Sequence, residues 1–193
     1  VIERTHAAAG DTSWDAAEAI AITLDGSTIS ADAQSVKVED STATIAASGT
    51  YILSGTLSDG QILVDTQSEA AVKLVLNGAS LNSSSGSALT VLNAEKVILI
   101  LAENTQNSVS DGSNYTAGAA DSAETDTPNA AIYSKSDLTI AGSGALTVNG
   151  NSNDGIASKD GLILAGGSLT VTAVDDGIRG KDYLVVENGT ITV

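Results

Sequence analysis

From Ile20 onward, short runs rich in Val, Ile, Leu and Ala alternate with turn residues. Ala21 to Leu24, Ser35 to Val38, Ala43 to Ala46, Tyr51 to Ser54, Gln61 to Val64, Val72 to Leu76, Ala88 to Val91 and Lys96 to Leu101 have the length and composition of strands. Asp25-Gly26, Asp59-Gly60 and Asn77-Gly78 punctuate them, glycine being free to take positive φ. In the last third the alternation becomes a repeat. Ala131-Ile132-Tyr133-Ser134-Lys135, Gly155-Ile156-Ala157-Ser158-Lys159 and Gly177-Ile178-Arg179-Gly180-Lys181 align with their lysines 24 (159 − 135) and 22 (181 − 159) residues apart. Each lysine precedes two apolar segments: Leu138 to Ile140 with Leu146 to Val148, Leu162 to Leu164 with Leu169 to Val171, and Leu184 to Val186 with Ile191 to Val193. A period of that size, made of strands and turns, predicts an all-β chain with one coil of a parallel β-solenoid per repeat.

Residues 20–193 read as one such domain, the less regular first half supplying earlier coils. Residues 1–19 are Ala-rich and read as an N-terminal arm, or a cap over the apolar face of the first coil. The pattern stops at about 110–129, which reads as a loop insertion from one corner, with Asp121, Glu124, Asp126 and the only proline, Pro128. Such excursions decorate one face of a solenoid and often carry binding. The chain has no Cys, Met or Phe, so its core is built from short branched side chains. The only histidine, His6, lies in the arm and reads as incidental.

Stacking the repeats on their lysines puts Asn129, Asn153 and Asp175 in one column, Ala130, Asp154 and Asp176 in the next, and Ser136, Asp160 and Asp182 just beyond. Neighbouring coils are ~4.8 Å apart. Two carboxylates at that separation repel by roughly 3.5 kcal/mol at an effective dielectric of about 20. A hard divalent cation relieves that repulsion, and Ca²⁺ accepts Asp carboxylates, Asn amides and turn carbonyls in loose geometry. The candidate metal ligands are therefore Asn153, Asp154, Asp175 and Asp176, with Asp160 and Asp182 as a second cluster. The competing reading is that these are corner carboxylates paired with Lys159, Arg179 and Lys181, which the same repeat delivers nearby.

A formal charge of −16, from 24 acidic against 8 basic residues, excludes nucleic acid and anionic membrane surfaces as partners. No segment has the ~20 consecutive apolar residues of a membrane span. An acidic, Lys-poor β-chain rich in Thr, Ser, Gly and Asn reads as secreted, and a start at Val1 is compatible with a removed export segment. No thiolate chemistry is available, no Ser/His/Asp arrangement forms around one terminal histidine, and no glycine-rich phosphate loop leads from a strand into a helix.

The run Asn129 to Lys135, then Asn153-Asp154-Gly155-Ile156-Ala157-Ser158-Lys159-Asp160 and Asp175-Asp176-Gly177-Ile178-Arg179-Gly180-Lys181-Asp182, resembles the bacterial secreted carbohydrate-binding domain family. Gly49 to Gly55 and Val75-Leu76-Asn77-Gly78 extend the resemblance to roughly residues 20–193. It implies a right-handed parallel β-helix containing calcium, related to family 9 pectate lyases, that binds plant cell-wall polymers such as polygalacturonate and cellulose without clear catalysis. On that footing calcium bridges the chain to its polysaccharide. Lys159, Arg179 and Lys181 are the cations of the binding edge, and Tyr133, Tyr183 and the loop around Tyr115 add stacking. Each tyrosine is equally a packing residue. Two alternatives stay open. One is a lyase, with a basic residue of the repeat as its proton acceptor, although Asn153 stands where a further Asp is expected. The other is a subunit of a calcium-stabilised filament, assembled head to tail through the strand pattern that runs to Val193 or by donation of the arm as a strand.

Overall fold

A computed structural model of the chain describes residues 5–113 and 127–193, and among these it contains strands and turns but no helix. In chain order the first strands are β1 (Ile20–Gly26), β2 (Thr28–Ala31), β3 (Val36–Glu39), β4 (Thr42–Ile45), β5 (Gly49–Leu57), β6 (Gln61–Asp65) and β7 (Val72–Asn82). Next come β8 (Leu89–Asn93), β9 (Lys96–Leu101), β10 (Gln106–Ser110), β11 (Ala130–Ser134), β12 (Asp137–Gly142) and β13 (Ala145–Gly150). The last are β14 (Asp154–Ser158), β15 (Gly161–Leu164), β16 (Ser168–Ala173), β17 (Ile178–Gly180), β18 (Tyr183–Val186) and β19 (Thr190–Thr192).

From β4 onward the strands pair in parallel with their counterparts one repeat away, in three ranks, and β1 pairs in parallel with β5. The first rank runs from the start of β5 through the start of β7, then β9, β12, β15 and β18. The second runs from the end of β5 through the end of β7, then β10, β13, β16 and β19. The third joins β4, β6, β8, β11, β14 and β17. The first two ranks are one curled sheet, because β5 and β7 each pass through both. The bend in β7 comes at Asn77-Gly78, where the buried Asn107 accepts the backbone N–H groups of Gly78 and Ala79 at 2.9 Å each.

Inward positions stack like upon like. Tyr51, Leu74, Leu99, Ile140, Leu164 and Val186 are register partners down the first rank. Ile62, Leu89, Ile132, Ile156 and Ile178 do the same in the third. The first five residues of the first column and the first four of the third are at most 1% exposed. Each removes about 1.5–3 kcal/mol worth of apolar surface from water.

The first half differs from the expectation of uniform coils. β1 and β2 form an antiparallel hairpin at Gly26 (φ 65°), and β3 and β4 form another at Asp40 (φ 51°). A link of one or two residues cannot make the long crossover that parallel neighbours need, so these strands fold back on themselves. Their Ile29 and Val36 enter the common core.

The described part of the arm lies on the outer side of the first rank, held from strands several repeats apart. Lys73 donates to the carbonyls of Gly10 (2.8 Å) and Ser13 (2.5 Å), and Lys96 to the carbonyl of His6 (3.1 Å) and the carboxylate of Asp11 (2.8 Å). Far from incidental, His6 is the hub of its attachment. Its Nε2 lies 2.7 Å from the Thr139 hydroxyl and its Nδ1 2.6 Å from the Tyr183 hydroxyl and 3.0 Å from Asp137, while the Tyr183 hydroxyl also accepts the His6 backbone N–H at 2.8 Å.

Two predictions follow from these contacts. Gly142 has φ +99°, and a β-carbon there would lie 2.2 Å from the Leu101 carbonyl oxygen of the neighbouring repeat. Gly142→Ala is expected to cost at least about 1–3 kcal/mol in urea unfolding, and an unchanged midpoint would contradict the close stacking of β12 on β9. The second concerns pH. Burial holds the His6 imidazole below its ordinary value, with Asp137 and Asp11 opposing and Lys96 assisting the shift. The neutral ring is the docked form, so its contribution is present above about pH 6.5 and declines as pH falls further. Trp14, the chain's only tryptophan, sits in the arm. Its emission is expected to change between about pH 7 and pH 5 in the native chain and to stay flat in His6→Gln; equal profiles would refute the latch.

Candidate functional site

The aspartates of the repeated columns stand at two different corners of the stack. Between the second and third ranks lie Asn153 and Asp154, at the entry to β14, and Asp175 and Asp176, in the turn before β17. Between the third and first ranks lie Lys159, Asp160, Lys181 and Asp182, in the turns leading to β15 and β18. The columns read from the lysine spacing are present. Ala130 and Asp154 are register partners, the Asp176 N–H donates to Asp154 Oδ1 at 3.2 Å, and the Asp182 N–H donates to the Asp160 carbonyl at 3.3 Å.

The two corners resolve their charge differently. Asp154 is 1% exposed, and Arg179 from β17 meets its Oδ2 at 2.5 Å. Arg179 also reaches Asp176 at 3.7 Å, and the Asn129 amide lies 3.5 Å from Asp154. Burial raises the Asp154 carboxyl above the ordinary carboxylate range, against the pull of Arg179. The cation of this corner is thus a side chain of the next repeat. Arg179 is committed to the acid cluster, and Asp175 stays exposed beside it.

At the other corner no basic side chain comes within ion-pair reach of Asp160 or Asp182 among the described residues. The Asp160 carboxyl is raised by burial and by the neighbouring charges of Asp137 and Asp182, with a side-chain hydrogen bond to Asp182 contributing. Asp182 and Lys181 are exposed and Lys159 half-buried. The corner adjoins the His6 socket, since Tyr183 follows Asp182 and the Gly161 N–H donates to Asp137 Oδ1 at 2.9 Å.

Tested against calcium, these sets fall short of a complete cage. Among the described residues no three His, Asp or Glu side chains converge as a group able to hold a metal ion. Asp160 and Asp182 offer two carboxylates whose remaining coordination would have to come from other oxygens. Of the stacking tyrosines, Tyr133 is corrected: it is 0% exposed and packs with Ala130 and Ala157, so its ring has no free face. Tyr183 is half-buried, its hydroxyl taken by His6 and its ring stacked on the imidazole at 5.9 Å. Tyr115 lies outside the described residues.

A family model described as "Carbohydrate-binding domain-containing protein" matches residues 39–193. The chain belongs to that family. A relative from Acetivibrio thermocellus carrying the same description is 37% identical over 153 residues, which are 79% of this chain and 52% of the relative. The chain thus spans about half the length of that relative. A solved structure titled "polysaccharide lyase-like protein from C. thermocellum, Gadolinium derivative" superposes with a TM-score of 0.77 at 32% identity, covering 89% of this chain and 80% of that one. The family match contains all of the second and third acidic columns, whereas the arm with His6 lies outside it.

The internal counter-ion carries the next prediction. Arg179→Gln leaves Asp154 buried without its partner. Because Arg179 is 38% exposed, the cost is expected at about 1–2 kcal/mol, below that of breaking a fully buried pair. A raised carboxyl favours the protonated form on folding, so the deficit should shrink as pH falls from about 7 to about 4.5. A deficit that grows on acidification would mean that Asp154 is not the group left uncompensated.

Proposed function

We propose that the chain is a non-catalytic polysaccharide-binding module, exported from the cell and built as a right-handed parallel β-helix. The match to the carbohydrate-binding family over residues 39–193 is the observation that carries this reading. The handedness follows from the rule that crossovers between parallel strands are right-handed. The polymer is polygalacturonate-like or cellulose-like, and calcium enters the proposal as an ion held between Asp160, Asp182 and the carboxylates of a polygalacturonate-like chain, which supplies the ligands the protein lacks. The two carboxylates with no basic partner support that placement. So does the gadolinium derivative of the solved relative, since both ions are hard and seek oxygen ligands.

Absence of catalysis is favoured by the commitment of Arg179 to Asp154 and Asp176, which removes it as a base. A second reading, a subunit of a calcium-stabilised filament, is tested by sedimentation of the protein alone, with and without a chelator.

For the main reading, the protein is expected to co-sediment with insoluble pectic polysaccharide in Ca²⁺, and to be released from it by a chelator or by Asp182→Asn. Failure to bind any polysaccharide would overturn the module. Accumulation of an ultraviolet-absorbing unsaturated product would overturn its lack of catalysis, and binding indifferent to both chelator and Asp182→Asn would remove calcium from the mechanism.

A further inference from the structure

We infer that the outer face of the second rank is a docking surface on which an uncharged, extended polysaccharide lies, hydrogen-bonded to a ladder of Thr, Ser and Asn side chains. This rests on the proposed polysaccharide binding and gives it a face and a ligand class.

The ladder is fixed by register. Thr56, Ser80, Ser108, Thr147, Thr170 and Thr192 are successive partners across β5, β7, β10, β13, β16 and β19. Two residues along, Asn82, Ser110, Asn149 and Thr172 form a second row. Between the rows Leu81, Val109, Val148 and Val171 point into the core, which leaves the polar residues outward. Rows of a parallel sheet repeat every ~4.8 Å across strands and every ~6.6 Å along them, so the face is a regular grid of hydroxyl and amide groups.

Its charge sets it apart. In a chain of net charge −16, the parts of the six strands that make this rank hold no Asp, Glu, Lys or Arg. The acids stand at the turns on either side, Glu103 and Glu187 along one margin and Asp59, Asp175 and Asp176 along the other. A polyuronate laid here would run between two lines of carboxylates, whereas an uncharged glycan meets no such repulsion.

The first rank carries the arm, and the third has Tyr133, Ala130 and Ala157 buried on its outer side. On the second, Thr147, Thr170, Thr172 and Thr192 are exposed and make no side-chain hydrogen bond among the described residues. Hydroxyls donate and accept, as the hydroxyls of a sugar do, so the match holds in several orientations of the chain. With no aromatic ring on the face among the described residues and each exposed hydrogen bond weak in net terms, affinity has to accumulate over repeats. The surface therefore suits a long polymer better than a short oligosaccharide.

Affinity electrophoresis through native gels containing hydroxyethylcellulose or galactomannan, with polygalacturonate gels alongside, tests the surface. The native protein is expected to be retarded by the uncharged glycans. Thr147→Asp and Thr170→Asp should each weaken that retardation by about tenfold or more. Thr170→Ser should keep it, as should Thr44→Asp on the outer side of β4. Circular dichroism checks the fold of each, and Thr170→Val is the substitute should an Asp variant fail to fold. Retardation by polygalacturonate alone would overturn this surface while leaving polysaccharide binding intact, and retardation by no gel would overturn both. Equal losses in Thr44→Asp and Thr170→Asp, or no loss in the ladder variants, would also overturn the surface.

Discussion

Parallel pairing in fixed register is the constraint on which everything else in this molecule depends. It places each side chain about 4.8 Å from its counterpart one repeat away. For apolar residues this is favourable at every step, and columns such as Leu74, Leu99, Ile140 and Leu164 form a core without a single large centre. For carboxylates the same rule is a liability. The chain meets it once with a side chain, Arg179 against Asp154, and once with a raised carboxyl at Asp160 facing Asp182 and Asp137. The second solution leaves room for an added cation, and the first does not.

The three ranks share one inner logic but have different outer sides. On the first, the arm works as a cross-brace. Through Lys73, Lys96, Thr139 and Tyr183 it touches strands of several repeats, and the contact between His6 and Tyr183 spans 177 residues of sequence. A stack in which each repeat contacts only its neighbours gains long-range coupling from such a brace. On the second rank the threonine hydroxyls of β13, β16 and β19 stay in solvent, while Ser80 and Ser108 bond to each other. Stability and recognition are thereby divided among faces: inward columns hold the stack, one outward face ties it, and another remains open.

Repetition also shapes how such a surface can bind. A pocket concentrates affinity in a few desolvated contacts, whereas a ladder spreads it over equivalent ones. The acidic margins then act by exclusion, discouraging anionic chains from the uncharged strip unless a cation intervenes. The proposed ion at Asp160 and Asp182 and the hydroxyl face are in this sense complementary, one suited to a carboxylate-bearing polymer and the other to a neutral one.

The repeat itself was legible in the sequence. The spacing of Lys135, Lys159 and Lys181 gave the all-β class, the inward columns and the adjacency of Asp154 with Asp176, because register in a parallel stack is a matter of counting. The alternation Ser168-x-Thr170-x-Thr172 beside Thr190-x-Thr192 was equally countable and marks the open face, although no single residue in it stands out. What counting could not supply was anything that depends on where a side chain goes after leaving its strand. Whether Asp154 meets Arg179 or an ion, whether Tyr133 is presented or buried, and where an irregular arm puts His6 are all set by contacts between distant segments. Local pattern and spacing fixed the coils; only the folded chain decided which of their outward groups were already satisfied and which were left for a partner.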